Sequence, residues 1–191
     1  MLPNLDQLPN NLPIPIDDGL ATHLVGLKLP NIALESTYKT LVNISDIQGW
    51  LVLYCYPMTG QPGKDLPKGW DIIPGARGCT PQNCAFRDHY SELRQLTAQV
   101  FGMSTQSSES QEEMALRLHL PFPILSDWEM KVTDALKLPT FKTDESTLLK
   151  RLTIISLNGE IKHVNYPVFP PNEDAENVIS WLKTTRKVNN G

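Results

Sequence analysis

The sequence predicts a single α/β domain, a three-layer α/β/α sandwich around a central mixed sheet. Short apolar runs typical of buried strands alternate with segments of helical periodicity, which is the order of elements that builds such sandwiches. A hairpin signal, Asn158-Gly159, joins the last two predicted strands and adds an antiparallel pair to the sheet. The chain has 191 residues, 40% of them hydrophobic, enough for one domain with a substantial core.

The chain is predicted to open with an extended arm over residues 1–20, because proline removes a backbone donor and disfavours helix at the residue before it. We place the folded domain at residues 21–191. The prolines of the arm are Pro3, Pro9, Pro13 and Pro15.

The central strand is predicted at Leu51–Tyr56, a continuous apolar run that ends at Pro57 and is typical of a strand buried on both faces. From Asn31 up to that run, the pattern alternates as it does in strands. Residues 58–78 hold five glycines and three prolines and therefore predict a long loop. A loop of this length inside a compact domain is usually functional or disordered.

Helix caps and periodicity predict the remaining elements. Thr80 is a suitable N-cap, and Pro81 a suitable first-turn residue, for a helix that buries Phe86, Tyr90 and Leu93. A capping box at residues 126–129 opens a later helix. The other predicted elements are a strand Val100–Met103, a helix Ser108–Leu120, a strand Phe122–Leu125, the strands Arg151–Leu157 and Glu160–Tyr166, and a helix Ala175–Lys187.

Composition excludes several classes of function. A net charge of −4 with 20% charged residues argues against a nucleic-acid partner. No apolar run reaches the ~18 residues that cross a membrane, and the N-terminal segment lacks the pattern of a secretory signal. Three cysteines are too few for a secreted disulfide scaffold, which indicates a reducing cytoplasm. No glycine-rich phosphate-binding fingerprint is present, and no cofactor is expected.

Cys79 is the first candidate for chemistry. It follows the long loop and directly precedes the predicted helix start, where unpaired N–H groups and a partial positive charge favour a thiolate. Arg77 would add to this effect. The alternative is a buried and inert cysteine, since free cysteine is among the most buried residue types.

Cys84 lies five residues after Cys79 in the same predicted helix. Helix geometry separates the two Cα atoms by roughly 9 Å, whereas a disulfide requires no more than about 7 Å. The pair can therefore form a disulfide only if the first turns of the helix unwind, which would make it a redox switch. The alternative is that Cys84 is only a core residue of the helix.

The other cysteine and the histidines are weaker candidates. Cys55 lies in the predicted central strand, where a core role is favoured over a redox role. A metal site from Cys79, Cys84 and His89 would spread its ligands around the helix, and no CxxC pair is present, so no metal is expected.

The segment around the two cysteines carries a family resemblance. Residues 78–88 contain Gly-Cys-Thr, a second cysteine five positions after the first, and then Phe-Arg-Asp. This pattern resembles the active-site segment of the peroxiredoxins, most closely that of the Q-type branch, also called bacterioferritin comigratory protein. Further segments agree in order over residues 25–187, namely Leu27–Pro30, Leu53–Pro57, Val100–Ser104, Leu120–Asp127 and Arg151–Ile155.

The resemblance implies a thioredoxin-like fold and thiol-dependent reduction of hydrogen peroxide and organic hydroperoxides. Cys79 would be the peroxidatic cysteine and become a sulfenic acid, and Cys84 would resolve it as an intramolecular disulfide. Arg151 would hold the thiolate and bind the peroxide oxygens. Thioredoxin or a glutaredoxin-like dithiol would restore both thiols. This branch also implies a monomer or a weak homodimer.

The chain departs from the family pattern between Pro57 and Cys79. The family proline that shields the site is matched by Pro57 only if residues 59–78 hold an insertion of about fifteen residues. Ala76 stands where the family has a threonine that orients the peroxide. Thr59 or a backbone group near Gly78 are candidate replacements.

The candidate substrate-binding residues are therefore Pro57, Thr59, Gly78 and Thr80. We also expect the insertion to form a wall or lid over the site. The residues of the insertion that suggest this are Lys64, Lys68, Trp70 and Arg77.

Two other functions remain open on the sequence. One is a general thiol–disulfide oxidoreductase, although such enzymes use C-x-x-C at a helix start and not this spacing. The other is a redox sensor that uses the Cys79–Cys84 pair to change partners without catalytic turnover.

Overall fold

A computed structural model describes residues 8, 11–143 and 146–189 and shows a central sheet with helices on both faces. The helices are α1 (Cys79–Asp88), α2 (Tyr90–Gln95), α3 (Ser108–Arg117), α4 (Lys131–Leu136) and α5 (Asp174–Asn189). The strands are β1 (Ala33–Ser36), β2 (Leu41–Asn43), β3 (Trp50–Cys55), β4 (Ala98–Ser104), β5 (Ile124–Ser126), β6 (Thr140–Lys142), β7 (Thr147–Leu149), β8 (Leu152–Leu157) and β9 (Glu160–Asn165).

The central sheet is mixed, as predicted. Its strand order is β2-β1-β5-β4-β3-β8-β9, with β6 and β7 forming a separate two-stranded sheet. The pairs β3–β4 and β4–β5 are parallel, whereas β8 lies antiparallel to both β3 and β9. The parallel strands bring their carboxyl ends to one edge of the sheet, and the loops that follow them meet there.

The core lies on both faces of β3, whose six residues are all buried. Alternation along the strand sends Val52 and Tyr54 into one core cluster and Leu51 and Leu53 into the other. Side chains of α1, α2, α3 and α5 complete the first cluster, and α4 with the segment 21–29 completes the second. This is the predicted three-layer sandwich, and it explains why the strand reads as a continuous apolar run.

The C-terminal hairpin is confirmed. Asn158 and Gly159 both adopt positive φ, 50° and 76°, and join β8 to β9. Asparagine and glycine tolerate this conformation better than other residues, so the local sequence determines the turn.

The predicted capping box at residues 126–129 is wrong. Ser126 is the last residue of β5, and α4 begins beyond the motif. Asp127 caps the helix instead, because its carboxylate accepts bonds from the backbone N–H groups of Val132 at 3.1 Å and Thr133 at 2.8 Å. The motif contains the capping residue, but an intervening turn separates it from the helix.

The sequence pattern did not predict two short hairpins as separate elements. The strands β1 and β2 pair at one edge of the main sheet, and β6 and β7 pair outside it. These strands have three or four residues each. So few positions give too little alternation to separate a strand from a loop.

The described part of the N-terminal arm lies against the body of the protein without regular structure. Pro15 packs beside Gly75 of the insertion. Asp18 accepts hydrogen bonds from Lys150 at 2.5 Å and from the Tyr166 hydroxyl at 2.7 Å. The Lys150 bond is the main cause that lowers the pKa of the Asp18 carboxyl to about 2. Pro3 and Pro9 lie outside the described residues.

Gly102 on β4 leaves the space that the Tyr54 ring occupies. A Cβ atom at this position would lie 2.7 Å from the Tyr54 ring and 2.7 Å from Ile124 Cδ1. We therefore expect Gly102→Ala to destabilise the fold by about 1–3 kcal/mol, the usual result of overpacking a dense core. Urea unfolding with an unchanged m-value would show this, and an unchanged midpoint would contradict it.

Candidate active site

Cys79 is the first residue of α1, directly after the insertion. Gly78 is the N-cap, and its carbonyl accepts the first helical bond from the backbone N–H of Gln82 at 3.0 Å. Thr80 lies inside the first turn, so the prediction that it is the N-cap is wrong. The helix starts two residues earlier than its Thr-Pro pair suggests, and this places Cys79 itself at the helix N-terminus.

Only glycine fits the position before Cys79. Gly78 has a φ of 98°, in the left-handed region that side chains disfavour. A Cβ atom there would also collide with the Pro171 side chain and lie 2.8 Å from Leu8 Cδ2. The backbone at the start of α1 is therefore packed between the N-terminal arm and the turn before α5.

Arg151 supplies a buried positive charge next to the Cys79 sulfur. Its Nη2 lies 3.2 Å from Cys79 Sγ, and the residue is only 3% exposed. The same nitrogen lies within hydrogen-bond distance of three successive backbone carbonyls, those of Gly75 at 3.2 Å, Ala76 at 3.3 Å and Arg77 at 3.0 Å. Arg151 directly precedes β8, so its guanidinium connects this strand to the end of the insertion. It also stabilises negative charge on the Cys79 sulfur.

The other end of the guanidinium is held by a buried polar network. Arg151 Nη1 donates to Gln82 Oε1, and Gln82 Nε2 donates to Asp174 Oδ2 at 2.7 Å. Asp174 also accepts from Thr153 Oγ1 at 2.6 Å and Asn165 Nδ2 at 3.5 Å. Burial raises the pKa of the Asp174 carboxyl, and these donors together with Arg151 oppose that rise.

Cys84 lies on the same unbroken helix as Cys79 and is half-buried against the core. Both cysteines are free thiols in this structure, so the helix is in the state expected before any disulfide forms. Asn83, between them, donates to the Cys79 carbonyl at 2.8 Å and accepts from the Tyr54 hydroxyl at 2.7 Å. Unwinding the helix must break these buried bonds.

A small cavity opens beside Cys79. Its volume is about 20 Å³, enough for about one water-sized group. Both flanking residues of Cys79 line it, as do residues of the insertion; the lining consists of Met58, Gly60, Leu66, Trp70, Ala76, Arg77, Gly78, Cys79 and Thr80. A group of the size of one oxygen atom would fit beside Cys79 in this cavity.

The insertion forms one wall of this cavity through Leu66 and Trp70. Trp70 is 3% exposed and packs with Ala76 and Leu148 in a separate apolar cluster. These contacts support the lid hypothesis for this part of the insertion. Lys64 and Lys68, in contrast, are exposed and are not among the described residues that line the cavity. Arg77 lines the cavity and pairs with Asp71 at 3.3 Å.

The remaining substrate-binding candidates lie further from the cavity. Pro57 is buried two residues after the end of β3. Thr59 donates through both its backbone N–H and its hydroxyl to Gln106 Oε1, at 2.8 and 3.2 Å. Neither is among the described residues that line the cavity, although their neighbours Met58 and Gly60 are. The structure therefore gathers Cys79, Arg151, Gly78 and Thr80, and holds Pro57 and Thr59 in the supporting chain.

The third cysteine belongs to the core. Cys55 is the last residue of β3 and is fully buried, and burial raises the pKa of its thiol. Across the part of the chain that the structure describes, no group of three or more metal-ligating side chains comes together. Nor does any described helix have the length and apolar character needed to cross a membrane.

Comparison with known proteins agrees with this geometry. A sequence model of the Redoxin family matches residues 24–179. A chloroplastic peroxiredoxin Q of Sedum lineare is 30% identical over 82% of this chain and 76% of its own length. The peroxiredoxin Bcp of Escherichia coli is 29% identical over 81% of this chain and 92% of its own length.

The chain belongs to the peroxiredoxin family. Its Q-type resemblance and its thioredoxin-like fold are thereby confirmed. The bacterioferritin comigratory protein of Xanthomonas campestris, at 20% identity, superposes with a TM-score of 0.65 over 83% of this chain and 97% of its own. That structure comes from a study of alkyl peroxide reduction, and its similarity to this peroxiredoxin supports the fold alone.

Sequence reasoning missed Gln82 and Asp174. Gln82 lies two residues before Cys84 in an unremarkable helix segment, and Asp174 opens α5, where an acidic residue is ordinary. The available signal was that Gln82 is a polar residue on the helix that carries both candidate cysteines. Its buried partner is 92 residues away and cannot be read from local pattern.

The burial of Cys55 generates a prediction for thiol labelling. At about pH 8, iodoacetamide should modify Cys84 in the native protein and leave Cys55 unmodified, because burial excludes the reagent and disfavours the thiolate. Peptide mass spectrometry gives the extent of labelling, and the urea-unfolded chain is the control in which all three cysteines react. Labelling of Cys55 at the rate of Cys84 would show that the strand is not a sealed core element.

Proposed function

We propose that this peroxiredoxin is a thiol peroxidase that reduces hydrogen peroxide and organic hydroperoxides, with Cys79 as the peroxidatic and Cys84 as the resolving cysteine. The observation that carries the proposal is the contact of Arg151 Nη2 with Cys79 Sγ at 3.2 Å, at a helix N-terminus and beside a cavity. A buried guanidinium stabilises a thiolate in the ground state and can donate to peroxide oxygens as charge moves onto them.

In the first step, the Cys79 thiolate attacks one oxygen of the peroxide and the O–O bond breaks. Both electrons of that bond leave with the other oxygen, which takes a proton and departs as water or an alcohol. The sulfur is oxidised to sulfenic acid and the peroxide is reduced. The confined cavity at Gly78 and Thr80 limits the reacting group to one small oxygen-bearing end.

In the second step, the Cys84 thiol attacks the Cys79 sulfenic sulfur, a disulfide forms and water leaves. The two residues lie on one intact helix in this structure, so the helix must unwind before the sulfurs meet. The half-buried position of Cys84 suits a residue that becomes exposed by such unwinding.

A dithiol reductant of the thioredoxin or glutaredoxin type then supplies two electrons and restores both thiols. A reducing cytoplasm is the compartment in which such a reductant works, and three cysteines are too few for a secreted disulfide scaffold. We assign the protein to that compartment as a monomer or weak homodimer. Sedimentation of the reduced protein would measure the oligomeric state.

Replacing each cysteine by serine separates the two roles. Cys79→Ser should abolish hydrogen peroxide consumption in the presence of thioredoxin and its reductase. Cys84→Ser should form one sulfenic acid per chain but lose turnover, because it cannot form the disulfide that the reductant attacks. Cys55→Ser is the matched control and should retain turnover. NADPH oxidation and a sulfenic-acid probe are the measurements.

The same experiment distinguishes the two other functions. Normal turnover of Cys79→Ser would falsify the mechanism. Oxidation of the wild type without catalytic turnover would favour a redox sensor, and reduction of insulin without peroxide turnover would favour a general disulfide oxidoreductase.

The wall of the cavity gives a second prediction. Trp70→Ala should raise the reaction rate with cumene hydroperoxide relative to hydrogen peroxide several-fold, since removing the indole enlarges the cavity beside Cys79. Leu148→Ala is the control, because Leu148 belongs to the same apolar cluster but is not among the described residues that line the cavity. Equal changes with both peroxides would show that Trp70 has no part in substrate selection.

A further inference from the structure

We propose that Asp174 is a positioning residue for the peroxidatic site, acting through the side-chain amide of Gln82 on Arg151 and on the stability of α1. This inference rests on the proposed function. Asp174 touches neither the sulfur nor the cavity, and its effect passes through one hydrogen-bonded chain: Asp174 Oδ2 to Gln82 Nε2 at 2.7 Å, then Gln82 Oε1 to Arg151 Nη1.

The chemistry of the groups allows only one orientation of the Gln82 amide. A guanidinium donates hydrogen bonds and accepts none, so the amide oxygen must face Arg151. The amide nitrogen must then donate, and the Asp174 carboxyl accepts that bond. Without this acceptor the amide nitrogen would be buried without its partner, and the amide would be free to move away from the guanidinium in search of another acceptor.

Asp174 is itself fixed to the sheet and does not simply follow Gln82. It accepts from Thr153 on β8 at 2.6 Å and from Asn165 on β9 at 3.5 Å. The side chains of Asp174, Gln82 and Arg151 are buried, with exposures of 0%, 0% and 3%. In such a low-dielectric setting the bonds are strong and an unpaired group is costly, so the network transmits position from the sheet to the guanidinium.

The position of Gln82 on α1 gives the network a second effect. Gln82 lies between Cys79 and Cys84, and unwinding that brings the two sulfurs together must pull its amide away from both partners. Asp174 therefore favours the wound helix. We expect its loss to slow oxidation of Cys79, because Arg151 is less well placed, and to speed formation of the disulfide, because the helix unwinds more easily.

The first measurement is the rate of Cys79 oxidation by hydrogen peroxide in a Cys84→Ser background. Asp174→Ala should lower this rate about tenfold or more. Asp174→Asn, which keeps the shape and one acceptor oxygen, should lower it less. In a Gln82→Ala background the same Asp174 substitutions should have little further effect, because the chain through which they act is already broken.

The second measurement is the rate at which the sulfenic acid is converted to the disulfide, with both cysteines present and with enough peroxide that oxidation of Cys79 is not rate-limiting. Rapid quenching and mass spectrometry follow the loss of two hydrogens from the peptide that spans them. This rate should rise severalfold in Asp174→Asn. The opposite signs of the two changes are the signature of a positioning role.

Asp127→Asn is the matched control. Asp127 is also buried and also accepts hydrogen bonds, but within the described part of the chain its carboxylate bonds to Val132 and Thr133 of α4 and not to the network. It should lower stability and leave both rates unchanged. Equal effects of Asp127→Asn and Asp174→Asn, or effects of Asp174 and Gln82 substitutions that multiply, would overturn the inference. If the proposed function itself were wrong, the result would be different: peroxide would still be consumed without Cys79.

Discussion

The burial of one positive charge, that of Arg151, constrains the whole site. A guanidinium that is 3% exposed loses the solvation of water and needs acceptors from the protein. Three carbonyls of the turn before α1, the amide of Gln82 and the sulfur of Cys79 supply them to its two terminal nitrogens, whereas Nε has no hydrogen-bond partner among the described residues. The turn, the helix start and β8 are therefore held in one arrangement, and the sulfur that completes this set is the one best placed to carry negative charge.

In the proposed mechanism, helix α1 must meet two opposed requirements. Peroxide attack needs it wound, because only then does Cys79 lie at the N-terminus against Arg151. Disulfide formation needs it unwound, because five residues of helix keep the two sulfurs apart. The bonds of Asn83 to Tyr54 and of Gln82 to its buried partners favour the wound state. Each is made by a polar side chain that lies between the two cysteines.

Local sequence predicted the elements whose cause is local. The apolar run of β3, the Asn158-Gly159 turn and the cysteine at a helix start each depend on residues within a few positions. The network around Arg151 depends on contacts over distances of 69 and 92 residues, so no local pattern identifies Gln82 or Asp174. Arg151 itself was found through the family motif. Two predicted helix caps, Thr80 and the box at residues 126–129, were wrong. The helix α1 begins at Cys79, before Thr80, and α4 begins at Lys131, after a turn that follows the box.

Residues 59–78, the proposed insertion, are held against the domain by apolar contacts. Trp70 clusters with Ala76 of the same segment and with Leu148 and Phe141 of the β6–β7 hairpin, and the centroids of the Trp70 and Phe141 rings lie 6.1 Å apart. Ala76 is fully buried at the edge of the cavity, so a larger side chain there would compete with the indole for space. The small side chain at position 76 is therefore compatible with a tryptophan in the wall, and a threonine there would have to share the same space.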